Sequence, residues 1–350
     1  MTQDFLTLHR CSIRHEYFSA NESKGPFFDA GTKTWIITKP SHCKELLAST
    51  NLRPASFAEN YQTLQQRLGI DFSSLTFTFD YIPLCLHGDR HMRARRRASE
   101  FLVARKAALN ERIPQAVATH FNALQREGRV EIMDSAVIPS VLDIMSMVVD
   151  TDISTMDCRN ASLVFDQSIG VNKRRKVEAE IATLRELISC RLGASATEDE
   201  VGLRLALVIL GKDTLIGTLG ESLYRLLELN HGRRLFEIDY PEFPLETGVP
   251  IIERVVVTPF KLANCNFASG DRVRILMQTF AYTAEPRNRS NFFGTGAHAC
   301  LGRPVSMQLW NAITAFLSNV PLLAHVLAYY PRTSDYIFAC PERLEIELCR

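Results

Sequence analysis

The sequence predicts a mainly α-helical protein with a smaller β portion. Apolar residues recur at helical spacing through 113–192, as in Val117, Phe121 and Leu124 and again in Val141, Ile144, Met145 and Val148, with Gly128 and polar turns between. Leu203 to Leu229 is the longest apolar-rich helical run. Strand patterns are short by comparison, at 34–38, 255–257, 272–276 and 341–348.

The 350 residues are 46% hydrophobic and 23% charged, with a formal net charge of +1. That supplies a sizeable core and permits one or two domains. Near-neutral charge leaves no electrostatic footprint for nucleic acid. The opening Met1-Thr2-Gln3-Asp4-Phe5 begins neither a signal peptide nor a membrane span, so a cytoplasmic protein with no membrane partner is expected. Nine cysteines, at 11, 43, 85, 158, 190, 265, 300, 340 and 349, form no Cys-x-x-Cys pair and read as mostly reduced thiols.

In chain order, residues 1–33 are weakly patterned and read as an irregular lead-in. Thr34-Trp35-Ile36-Ile37-Thr38 is a short β run, and Ser41 is placed to cap a helix through Ala48. Residues 51–86 lack sustained periodicity and read as a surface connection with local helix. His91-Met92-Arg93-Ala94-Arg95-Arg96-Arg97 opens a helix through Phe101 and Leu102, on which His91 and Arg95, four apart, share a face and offer two donors to one anion. The run Lys173-Arg174-Arg175-Lys176 reads as a solvated turn or helix end.

Inside the longest helix stands Gly211-Lys212-Asp213-Thr214, where glycine costs on the order of 1 kcal/mol against alanine and an acid followed by an alcohol is unusual core filling. Such a pair either relays protons or is an exposed Asp beside a Thr bonded back to its own helix. Pro241 and Pro244 exclude a regular helix interior where they stand. Val255-Val256-Val257 and Arg272-Val273-Arg274-Ile275-Leu276 read as strands around a turn at 268–271, and 281–293 as a brief polar link. A helix over 305–318 and a closing strand over 341–348 complete the chain.

The stretch Phe293-Gly294-Thr295-Gly296-Ala297-His298-Ala299-Cys300-Leu301-Gly302 carries the chemistry. Its three glycines are expected to supply positive φ and close backbone approach, so the segment presents one sulfur from a tight loop just ahead of a helix N-terminus, where the macrodipole stabilises a thiolate. The pattern Phe-x-x-Gly-x-His-x-Cys-x-Gly, read from Phe293, Gly296, His298, Cys300 and Gly302, resembles the heme-binding loop of the cytochrome P450 superfamily.

The resemblance spans roughly 34–348 and implies a single triangular heme-thiolate fold over 1–350, binding heme b with Cys300 as the metal ligand. It implies that His91, Arg95, Arg254 and His298 neutralise the heme propionates. Asp213 and Thr214 match the family's proton-delivering acid–alcohol pair, with Gly211 where the central helix bulges for dioxygen. Arg93, Arg96 and Arg97 become a positive face for an acidic ferredoxin or flavodoxin-type electron donor. The stretch 51–86 corresponds to the cap of the substrate pocket.

Two departures accompany it: 153–192 is short, which trims the pocket roof, and the Glu-x-x-Arg that braces the heme side of the family's core is missing, with Pro241 and Pro244 in its place. The activity implied is monooxygenation of a small organic substrate, free or held on a carrier protein, in secondary metabolism. The alternatives are an atypical heme-thiolate enzyme that uses peroxide, couples, dehydrates or nitrates, and a non-catalytic heme-binding sensor or carrier-binding protein.

Overall fold

The computed structural model describes residues 25–55, 57–154, 161–166, 169–283, 285–332 and 338–350. The chain divides into two compact units, one made of Met1–Ala55 and Val249–Cys300, the other of Ser56–Gly248 and Leu301–Arg350. Helices dominate, as expected. No helix among the described residues is long and apolar enough to cross a membrane.

The smaller unit is built on strands β1 (Phe27–Asp29) and β2 (Thr34–Ile37), helix α1 (Pro40–Ala48) and strand β3 (Leu52–Pro54). Its later portion adds β5 (Ile251–Val256), β6 (Phe260–Leu262), β7 (Cys265–Phe267) and β8 (Arg272–Leu276), β4 belonging to the other unit. Five of these form one sheet in the order β1-β2-β8-β5-β3, and β6 pairs with β7 as a hairpin. β2 and β8 run parallel, from Thr34 opposite Arg272 to Ile37 opposite Ile275, and the other pairs are antiparallel. Ile37, Val273, Ile275 and Val256 pack with Leu46 and Leu47 of α1 and with Phe267 and Phe280, so the β-branched run and the apolar face of α1 share one core. β1 falls within the stretch expected to be irregular. Ser41 is not the cap of α1: Lys39 holds that position without a side-chain bond, and Pro40 opens the helix.

The larger unit holds α2 (Phe57–Leu68), α3 (Ser73–Phe79), α4 (Gly88–Ala104), α5 (Lys106–His120), β4 (Gly128–Glu131), α6 (Ile138–Val149), α7 (Val171–Leu192), α8 (Glu198–Leu229), α9 (Arg303–Leu317), β9 (Leu323–Pro331) and β10 (Pro341–Cys349). The three strands pair in the order β4-β10-β9, all antiparallel. α8 is its axis: 32 residues, roughly 48 Å at the usual rise. A capping box fixes its start, with Thr197 Oγ1 accepting from Glu200 N and Glu200 accepting from Thr197 N. Apolar residues surround most of its circumference, so it is buried along much of its length.

α2 and α3 are the local helix expected within 51–86, and Lys173–Lys176 forms the helix end expected of it, in the first turns of α7. One residue of that run departs from the solvated reading: Arg174 is buried, its Nε donating to Ile169 O and its guanidinium 5.3 Å from the Tyr61 ring.

Candidate functional site

The cysteine loop follows a 3₁₀ turn at Pro286–Phe293. Gly294 has φ +67° and Gly296 φ +68°, both in the left-handed region, and a Cβ on Gly296 would lie 3.1 Å from Ala48 Cα. Gly302 has φ −78° and serves as the N-cap of α9, so only two of the three glycines meet the conformational expectation. The loop closes on itself through Cys300 N donating to Phe293 O at 2.6 Å and Ala299 N donating to Gly296 O at 3.2 Å. Phe293 is buried, His298 is half-buried and Cys300 is exposed. An inert structural cysteine would be packed away, as Cys43 and Cys340 are. Among the described residues no group of three or more His, Cys, Asp or Glu is placed to hold a metal ion. Arg254, in the same unit, lies on β5, is 5% exposed, and its Nη1 donates to Glu253 O at 3.0 Å.

The remaining site residues belong to the larger unit. His91 is buried on α4 at 5% exposure and Arg95, one turn on, is half-buried. At about 100° per residue, Arg90, Arg93 and Arg97 occupy the opposite side of this helix. The expected three-arginine face is therefore divided. Arg97 is ion-paired to Asp199 at 2.6 Å, Arg93 lines a groove with it, and Arg96 stands exposed outside that groove.

α8 passes Gly211 without a bulge; a Cβ there would lie 2.9 Å from Met145 Cε, and this close packing against α6 accounts for the glycine. Asp213 is 1% exposed, not a surface acid, and accepts from Lys212 Nζ at 2.5 Å, with Arg332 Nη1 3.9 Å from the same oxygen. Thr214 Oγ1 lies 2.6 Å from Leu210 O and 3.0 Å from Gly211 O, a hydroxyl bonded back to its own helix. One turn further, a Cβ on Gly217 would meet Ala339 O at 2.0 Å and one on Gly248 would meet Thr214 O at 2.4 Å, so three backbone segments touch beside the pair.

The segment after Pro241 and Pro244 carries a buried ion pair that the sequence pattern did not reveal. Residues 239–248 contain no helix, yet Glu246, 2% exposed, is ion-paired to Arg225 of α8 and receives a bond from Ser222 Oγ to its carbonyl, while its own N–H donates to Ser222 Oγ at 3.0 Å. Gly248 N donates to Thr218 Oγ1 at 2.9 Å, and the fully buried Trp310 of α9 donates its indole N–H to Pro241 O at 2.9 Å. The proline-bearing segment is thus pinned to two helices. The sequence offered no signal for the ion pair, since Asp239 and Glu242 are acids in the same stretch as Glu246.

No protein-family model matches the chain, and no curated protein matches it in sequence. Solved structures do resemble it. CalO2 aligns at TM-score 0.76 and 16% identity over 99% of this chain and 98% of that one. RauA, a P450 complexed with a biosynthetic intermediate of aurachin RE, aligns at TM-score 0.74 and 15% identity over 100% and 98%. P450BioI, in complex with an acyl carrier protein ligated to hexadec-9Z-enoic acid, aligns at TM-score 0.72 and 16% identity over 98% and 99%. With this agreement along nearly the whole of each chain, the protein has the cytochrome P450 fold.

Proposed function

We propose that this chain is a heme-thiolate monooxygenase acting on a small organic substrate. The observation that carries the reading is the exposed Cys300 thiol on a closed glycine loop in a chain of this fold. The donor set fits heme b: Cys300 offers one sulfur able to ligate iron, and the buried Arg254 guanidinium and the buried His91 imidazole are each N–H donors that suit an anionic group otherwise costly to bury. In this reading Cys300 is the proximal ligand, with Phe293, Gly296 and Gly302 shaping its loop. His91, Arg95, Arg254 and His298 hold the propionates.

When bound, heme b supplies the activation of dioxygen and the transfer of one oxygen atom to substrate. Asp213 and Thr214 supply protons. Asp213 must leave Lys212 to exchange with water, and the Thr214 hydroxyl must rotate away from Leu210 O and Gly211 O before it can donate to a ligand. Electrons come from a separate ferredoxin or flavodoxin-type donor, for which Arg96 is an exposed cation. One neighbour's acyl carrier protein and another's biosynthetic intermediate support a secondary-metabolite precursor, free or carrier-held, as substrate.

The test is the absorption spectrum of the reduced, CO-treated protein. A thiolate-type Soret band is expected in the wild type and in Cys190→Ala, an exposed-thiol control, and is expected to vanish in Cys300→Ala. A wild type without that band, or a Cys300→Ala protein that retains it, overturns the assignment.

A second reading, peroxide-driven turnover, is favoured by one observation: both members of the acid–alcohol pair are bonded within their own helix. Turnover with hydrogen peroxide and none with dioxygen plus a reconstituted electron-transfer chain would select it.

A further inference from the structure

Arg90, Arg93 and Arg97 fall on one side of α4 and line a groove of about 270 Å³ in the larger unit. Its other walls are the segment around Asp80, Tyr81 and Leu86, and the first turns of α8 at Asp199 and Leu203. Two of the three guanidiniums are already matched. Arg90 pairs with Asp80 at 2.7 Å and Arg97 with Asp199 at 2.6 Å, and all four side chains remain half or more exposed. Arg93, between them, makes no ion pair among the described residues. The groove therefore carries three cationic and two anionic groups, one positive charge in excess, beside an apolar floor of Leu86, Ala94 and Leu203. The Tyr81 ring is packed so closely over Gly202 that a Cβ there would sit 2.3 Å from it. Burial, then the carboxylates of Asp199, Glu198 and Asp80, hold the Tyr81 phenol above its ordinary value, so it stays a hydroxyl donor.

We infer that this groove binds a small organic monoanion, a carboxylate carried on an apolar body. Its size lies just under the ~300–1,000 Å³ of sites for drug-sized molecules, which suits a smaller ligand. A guanidinium presents two parallel N–H groups to a carboxylate, so Arg93 is the anchor, while Arg90 and Arg97 stay with their aspartates. A neutral ligand would leave the excess charge unmatched. A dianion would set a surplus negative charge beside Asp80 and Asp199. The groove lies within one unit and owes nothing to the heme assignment.

The experiment is calorimetric titration of the full chain with 4-phenylbutyrate, with its neutral counterpart 4-phenylbutan-1-ol, and with phenyl phosphate as a dianion. The butyrate is expected to bind at one site about fivefold tighter than the alcohol at low salt, with the gap closing as salt is raised. Phenyl phosphate is expected to bind more weakly than the butyrate. Arg93→Gln should erase the preference for acid over alcohol, and Arg96→Gln, outside the groove on the same helix, should keep it. Ala94→Phe, which fills the groove, should abolish binding of both phenylbutyl ligands, with circular dichroism confirming its fold. Equal affinity for acid and alcohol, tighter binding of phosphate, a preference that survives Arg93→Gln, or undiminished binding to folded Ala94→Phe would each overturn the proposal.

Discussion

Lys212 Nζ donates to Asp213 Oδ1 at 2.5 Å, an ion pair between sequence neighbours whose side chains are 7% and 1% exposed. Adjacent helical residues point away from each other, so the lysine stem curls back to reach its neighbour. Removing one partner of such a buried pair strands the other charge. Lys212→Met is expected to lower unfolding free energy by about 3 kcal/mol, reduced to the extent that Arg332 moves in from 3.9 Å. Urea denaturation of Lys212→Met, of Asp213→Leu and of the double variant measures this; the double variant is expected to recover most of the loss.

The Arg225–Glu246 pair makes a parallel prediction. Arg225→Met removes the Arg225 guanidinium from the Glu246 carboxylate, 2% exposed, and should cost about 3 kcal/mol. Glu246→Gln keeps the two backbone bonds to Ser222 and should cost less. Thermal unfolding of the two variants side by side ranks them.

Helical glycines should respond to alanine according to what the new methyl meets. At Gly217 it meets the backbone oxygen of Ala339 at 2.0 Å, and the expected loss is about 2–3 kcal/mol despite alanine's better helix propensity. At Gly202 it meets the Tyr81 ring, a side chain able to swing aside, so the loss should be smaller. Chemical denaturation distinguishes the two.

Two buried thiols contribute to the loss of stability at alkaline pH, alongside the phenols of Tyr61 and Tyr240, which burial also pushes upward. Burial pushes Cys43 strongly upward and Cys340 up to about 12 from an ordinary value of 9.0. Unfolded chains lose these protons first as pH rises above 9, so the unfolded state binds fewer protons and stability falls between pH 9 and about 12. Denaturation midpoints at pH 8 and pH 10.5 should show the fall, and Cys340→Ala should reduce the slope. Iodoacetamide at pH 8 should label exposed Cys190 in the folded protein, and Cys43 and Cys340 only after unfolding.

What the sequence made legible follows from how strongly each segment repeats. α8, α9, β8 and β10 fall where expected because many residues on each face agree: α9 buries Val305, Leu309, Trp310, Ile313 and Leu317 at helical spacing. α2 was legible only as unplaced local helix because Tyr61 is its only buried residue, which leaves almost no stripe to read. The Cys300 loop was legible as a motif, since glycine positions constrain backbone directly, although Gly302 turned out to serve as a helix cap. The groove on α4 had a faint signal, arginines at 90, 93 and 97 with Asp80 just ahead of them, but Asp199 comes to it from far along the chain. The Arg225–Glu246 pair likewise joins residues 21 positions apart across a segment of no regular period.

The parallel pairing of β2 with β8 governs when the five-stranded sheet can be completed during synthesis. Trp35 Nε1 donates to Asp271 Oδ2 across 236 positions, and the sheet order places β8 and β5 between the two N-terminal strands and β3. When β1, β2 and β3 leave the ribosome, no partner yet exists for most of their edges. Those edges stay open until translation reaches residue 276, and such unpaired strands invite association with other nascent chains. Pulse-labelled, ribosome-arrested chains ending well before and well after that point are expected to acquire protease resistance in the N-terminal strands only in the longer species.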